Sequence, residues 1–116
     1  HCNDMALAYK VSDIIVSASI EPEAFGRVAV EAQSMEKLII ASNIGGSNET
    51  IIDEKTGFLF KSGDAESLSK KIIHGLTMDE TSRNLMGKEG RNNIIKKFNV
   101  EKMCFSTYSE YKRLLN

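Results

Sequence analysis

The sequence predicts a three-layer α/β fold on a parallel sheet, with additional helices at its C-terminal end. Two short apolar runs without alternation, Ile14-Ile15-Val16-Ser17-Ala18 and Leu38-Ile39-Ile40-Ala41, read as strands covered on both faces. A helically patterned segment separates them, and strand–helix–strand order implies a right-handed crossover between parallel strands. Gly57-Phe58-Leu59-Phe60 supplies a third, shorter strand.

The elements follow in order. Met5 to Tyr9 reads as a short helix with Asp4 as its N-cap. After the first strand comes Pro22, the only proline, and then a helix over about residues 24–35. Phe25, Val28, Ala29, Ala32 and Met35 share one face of it, and the small alanines let it lie close to a sheet. Beyond the third strand, Asp64 is placed to cap a helix carrying Leu68, Ile72 and Ile73. Asp79-Glu80 opens another, which Gly87 and Gly90 are expected to interrupt. A last helix from about Val100 to Leu115 sets Cys104, Tyr108, Tyr111 and Leu115 at helical spacing, a pattern that predicts core rather than contact surface. There is no internal repeat and no low-complexity linker.

Composition narrows the function classes. A length of 116 residues suits one compact domain. With 15 basic against 16 acidic residues, the net charge of -1 gives no general attraction to nucleic acid or anionic membranes. No run approaches the ~18 apolar residues of a spanning helix. Cys2 and Cys104 lack the spacing of a zinc site or disulfide framework, so a reducing, cytoplasmic setting is expected. Lone His74 beside Ile73 reads as structural or exposed, with no metal site. The chain opens at His1 without an initiator methionine and reads as part of something longer.

The chemistry concentrates in Glu23-Ala24-Phe25-Gly26-Arg27-Val28-Ala29-Val30-Glu31. A helix starting near Phe25 turns free N–H groups and its positive dipole end toward the tip of the first strand, which favours phosphate. If the segment is helical throughout, Glu31 lies about 12 Å beyond Glu23. Two carboxylates so placed suit a polyhydroxyl–phosphate–polyhydroxyl ligand, the layout of a nucleotide diphosphate sugar. Gly45-Gly46-Ser47-Asn48-Glu49 follows the next strand tip and brings further N–H groups to the same crevice. Open α/β sheets bind ligands at that carboxyl edge. Plainer readings stand beside these: acids favour any first helical turn, Gly45-Gly46 serves as an ordinary loop, Glu49 and Thr50 cap a short helix as readily as they touch a ligand, and Arg27 is a surface residue.

These stretches, with Ser12-Asp13-Ile14-Ile15-Val16, Ile40-Ala41-Ser42-Asn43-Ile44-Gly45-Gly46, Glu49-Thr50-Ile51-Ile52 and Thr56-Gly57-Phe58-Leu59-Phe60, resemble the group 1 family of retaining glycosyltransferases with the two-domain GT-B fold. The matches run in family order over most of residues 4–75. The resemblance implies a Rossmann-like sheet, the C-terminal donor-binding half of a GT-B fold, with residues 1–116 as a single domain. It implies that Glu23 contacts the donor-sugar hydroxyls, in a positioning and electrostatic role and not as nucleophile or base. Glu31 would hold the ribose hydroxyls. Backbone groups of Ala24, Phe25, Gly26, Arg27 and Val28 would hold sugar and diphosphate, and Gly45 and Gly46 would line the crevice.

The implied activity is hexosyl transfer from a nucleotide sugar, with retention, to a carbohydrate or lipid acceptor, as in cell-surface polysaccharide or lipopolysaccharide synthesis. It needs no cofactor beyond the donor substrate. The whole enzyme would sit in the cytoplasm, peripherally at the inner face of the membrane. Two rivals remain: a non-catalytic association domain, dimerising through the last helix, and a nucleotide-sugar epimerase on the same scaffold. An acidic cluster at the first strand tip, which a phospho-receiver domain needs, is not there.

Two departures from the family pattern matter. Glu36 and Leu38 stand where the family has a glycine and a proline; in a left-handed C-cap, Glu36 costs roughly 1 kcal/mol. The N-terminal acceptor domain and its diphosphate-neutralising basic residues are expected to be absent, leaving the transfer site incomplete.

Overall fold

The computed structural model describes residues 4–22, 26–98 and 100–115, and for 100–103 the backbone path alone. The element order is α1 (Met5–Val11), β1 (Ile14–Ser17), α2 (Arg27–Ser34), β2 (Leu38–Ser42), α3 (Ser47–Thr50), β3 (Phe58–Phe60), α4 (Ala65–Thr77), α5 (Glu80–Phe98) and α6 (Val100–Leu115). Among the described residues the strands form one sheet in the order β1-β2-β3, parallel at both pairings. The predicted α/β class and parallel sheet hold.

β2 is the centre, and every one of its residues is buried. Successive side chains of a strand point to opposite faces, so β2 feeds two cores. Ile39 and Ala41 join Tyr9, Ala29, Ala32 and Ile51 on the α1–α2 side. Leu38 and Ile40 join Phe58 and Phe60 on the other, where Leu68 and Ile72 of α4 pack. Ile73 stays exposed. His74 sets its ring edge-on to Phe58, centroids 4.9 Å apart.

β1 departs from the expectation of cover on both faces. It is the edge strand, bonded only to β2 within the described sheet, and Val16 is 41% exposed.

The helix ends have local causes. Asp4 Oδ1 accepts from Leu7 N at 3.0 Å, capping α1 as expected. Asp64 Oδ1 does the same for Ser67 N of α4, also at 3.0 Å. α2 begins later than the predicted residue 24, because Gly26 sits at φ 74, outside the right-handed helical region. Its other end is a Schellman turn. Lys37 N donates to Ala32 O at 2.9 Å and Glu36 N to Gln33 O at 3.0 Å. Glu36 occupies the left-handed position at φ 59, as the sequence comparison with the family pattern anticipates.

Gly87 and Gly90 do not interrupt α5, which runs unbroken from Glu80 to Phe98. They let it press on α2. A Cβ at Gly87 would lie 2.2 Å from the carbonyl oxygen of Glu36, and one at Gly90 3.2 Å from Thr56 O and from Gln33 Cγ. Buried Gln33 donates from Nε2 to Ala29 O and to Thr50 O, tying α2 to α3. The last helix corrects the core expectation: Tyr108, Tyr111 and Leu115 are exposed, as are Phe105 and Leu114, and Cys104 is an exposed free thiol. Among the described residues α6 has its main contact with α5, and its described side chains are left exposed.

Candidate functional site

Parallel strands end on one side, so the chain leaving β1, β2 and β3 converges on a single edge of the sheet. Ser62 Oγ, after β3, donates to Ser19 O, after β1, at 3.2 Å and links the two outer tips across the end of β2. The start of α2 and the Gly45-Gly46 turn stand at this edge.

Gly26 caps α2 with no side chain, and the first helical bond is Val30 N to Gly26 O at 3.2 Å. The N–H groups of Arg27, Val28 and Ala29 therefore have no partner within the helix. Gly26 is buried against the second turn: a Cβ there would lie 3.4 Å from Ser47 N and 3.5 Å from Gly46 C. Gly45 is left-handed at φ 58, and the single turn α3 is capped by Gly46 and Ile51, so Glu49 and Thr50 lie within it rather than capping it. The structure thus brings Gly26, Arg27, Val28 and Gly46 together. Glu23, Ala24 and Phe25 lie outside the described residues. A continuous helix from 23 to 31 is ruled out by Gly26, so the 12 Å helical span does not apply; from Gly26 to Glu31 the rise is about 7.5 Å.

Glu31 lies on the second turn of α2, its side chain 37% exposed. Both carboxylate oxygens are engaged. Oε2 accepts from the Tyr9 hydroxyl at 2.8 Å, and Oε1 pairs with Arg27 Nη2 at 3.3 Å. Arg27 is 84% exposed and points along its own helix, consistent with the surface reading of its side chain. Tyr9 is buried, and its phenol is pushed up to about 12 by burial first, then by the hydrogen bond to Glu31 and that residue's charge. Glu31 and Tyr9 share the wall of a groove of about 380 Å³ between α1 and α2, which Met5, Val30 and Met35 also line.

Tyr9 escaped the sequence reading. Its position on the apolar face of α1 marks it as core, and only the need of a buried tyrosine hydroxyl for a partner points further. Among the described residues no group of three or more His, Cys, Asp or Glu could hold a metal ion.

Against known proteins, residues 1–93 match the family model described as glycosyl transferases group 1. The capsular polysaccharide biosynthesis glycosyltransferase CapM of Staphylococcus aureus is 30% identical over 115 residues, covering 99% of this chain and 30% of that protein. The UDP-Gal:alpha-D-GlcNAc-diphosphoundecaprenol alpha-1,3-galactosyltransferase of Escherichia coli is 34% identical, covering 86% of this chain and 25% of that protein. A crystal structure of a glycosyltransferase from Rickettsia africae ESF-5 superposes with a TM-score of 0.92 at 39% identity, over 100% of this chain and 31% of that one. The chain thus spans less than a third of the length of each of these relatives.

Proposed function

The chain belongs to the group 1 family of glycosyl transferases, and from that premise we propose that it is the donor-binding domain of a retaining hexosyltransferase. The observation that carries the reading is Glu31. It is a half-exposed carboxylate, on the second turn of a helix whose uncapped N–H groups face the carboxyl edge of a parallel sheet. That arrangement offers phosphate a dipole end and N–H donors, and offers a ribose an acceptor about 7.5 Å away. The UDP-Gal in the name of the Escherichia coli relative supports a nucleotide sugar as the ligand.

In this reading Glu31 takes the ribose hydroxyls. The N–H groups of Gly26, Arg27 and Val28, with those of Ala24 and Phe25, hold the diphosphate and sugar, and Gly45 and Gly46 close the crevice. Glu23 binds the donor-sugar hydroxyls and stabilises charge that develops as the sugar leaves. No metal or organic cofactor takes part. Residues 1–116 act as one domain, and the acceptor, a carbohydrate or lipid, is bound by parts of the enzyme outside this chain. Cys104, exposed and free, suits a reducing cytoplasm. Among the described residues no helix is long and apolar enough to cross a membrane.

Calorimetric titration of UDP, GDP and their sugars tests the site. Wild-type chain is expected to bind at least one of them, and Glu31→Ala to bind it at least about tenfold more weakly. Equal binding by both would remove Glu31 from the site. A second reading, association through the last helix, is favoured by the exposed Phe105, Tyr108 and Tyr111. It predicts a stable dimer in sedimentation together with no nucleotide-sugar binding.

A further inference from the structure

A glutamate on a helix surface ordinarily samples several rotamers, and ordering it costs free energy when a ligand binds. Glu31 is held at both oxygens before any ligand arrives, and the two holds differ in kind. Arg27 reaches it at 3.3 Å from the same helix, one turn away, on a side chain 84% exposed; such pairs contribute little and yield readily to solvent. Tyr9 reaches it at 2.8 Å from a different helix. Its ring is 4% exposed and packed with Ala29, Ala32 and Ile39, so its hydroxyl is a fixed point.

The count of acceptor sites matters next. An ionised carboxylate offers about four lone-pair positions, two on each oxygen. Tyr9 uses one on Oε2 and Arg27 one on Oε1. At least one position on each oxygen is left, enough to accept from two neighbouring O–H donors, a cis-diol. A freely rotating carboxylate would have to be ordered before it could accept from both hydroxyls at once.

We propose that Tyr9 is a positioning residue: its hydroxyl orients Glu31 so that the carboxylate accepts from both ribose hydroxyls of a nucleotide, without Tyr9 touching the ligand. The proposal rests on the reading of Glu31 as the ribose contact. The raised phenol, at about 12, keeps Tyr9 a hydrogen-bond donor throughout the neutral range. Tyr9 is then a selectivity device for ribonucleotides over nucleotides lacking the diol, acting through Glu31.

The test is a double-mutant cycle read with two probes, the ribonucleoside diphosphate that binds best and its 2′,3′-dideoxy counterpart. Tyr9→Phe keeps the ring and its packing and removes only the donor. It is expected to weaken the ribonucleotide about tenfold, the effect of one charge-assisted hydrogen bond, to leave the dideoxy ligand unchanged, and to add nothing in a Glu31→Ala background. Glu31→Asp provides a second arm at a half-exposed helix position. The shorter side chain keeps the charge but cannot meet Tyr9 and the diol together, so it is expected to lose nearly as much as Glu31→Ala. Tyr9→Phe binding both ligands like wild type, losing both equally, or still costing affinity without Glu31 overturns the positioning role. So does Glu31→Asp binding like wild type. A wild-type chain that binds no nucleotide overturns the donor-site reading itself, and the proposal falls with it.

Discussion

The two C-terminal helices invert what their sequences advertise. α5 carries no clean apolar stripe, with Leu85 and Ile95 exposed, yet it is the helix that closes the domain, burying Gly87, Gly90 and Ile94. α6 is plainly amphipathic, with aromatic and leucine residues recurring at helical spacing, yet all of its described side chains, 104–115, are exposed. Periodicity measures what a helix offers to a neighbour. Burial also needs a neighbour able to come close, and in α5 glycine provides the approach. The absence of a side chain at Gly87 does more for this fold than the aromatic rings of α6.

The comparison breaks first at Gly87. Gly87→Ala gains helix propensity, about 1 kcal/mol in an exposed helix, but sets a Cβ 2.2 Å from a backbone oxygen that cannot rotate away. A net loss of about 2–3 kcal/mol is expected from overpacking, measured as a fall in the urea midpoint. An unchanged or raised midpoint would show that α5 is not held by this contact. A smaller change of opposite sign is expected on the other side of the same contact. Glu36→Gly relieves a left-handed residue at φ 59 without altering the Schellman hydrogen bonds, and should raise stability by about 0.5 kcal/mol once the added freedom of the unfolded chain is counted. The smallest effect belongs to α6: Tyr108→Ser with Tyr111→Ser should move the midpoint of the monomer by no more than about 0.5 kcal/mol. A drop of several times that size would mean the stripe is buried in solution, and the contrast between the helices would disappear.

Much of the fold was legible because its signals are local. The unbroken apolar run at 38–41 marks the central strand, Asp4 and Asp64 mark helix starts, and the departure at Glu36 marks a strained C-cap that the structure reproduces. What was not legible depends on contacts distant in sequence. Gly87 and Gly90 read as breaks because their purpose lies in Glu36 and Thr56, more than thirty residues upstream. Gln33, polar by type, is fully buried because the carbonyls of Ala29 and Thr50 receive its amide. The candidate site divides in the same way. Glu31 and the Gly26 and Gly46 turns follow from motif and strand order, and the structure packs Gly26 against Gly46 and Ser47. Tyr9 becomes visible only when α1 is laid across α2.

The sheet also has an order in time. Its spatial sequence β1-β2-β3 is the order in which the strands are synthesised, so each emerging strand finds its partner already made. The central strand nevertheless cannot be sealed at that stage. The side chains that cover its second face, Leu68, Ile72, Met78 and Met86, all follow β3, so a nascent chain halted shortly after Phe60 leaves that apolar face of the sheet open to pairing with other chains. The interval between release of Phe60 and release of Phe98 is therefore the aggregation-prone window in the birth of this domain, and the one in which a chaperone has most to protect.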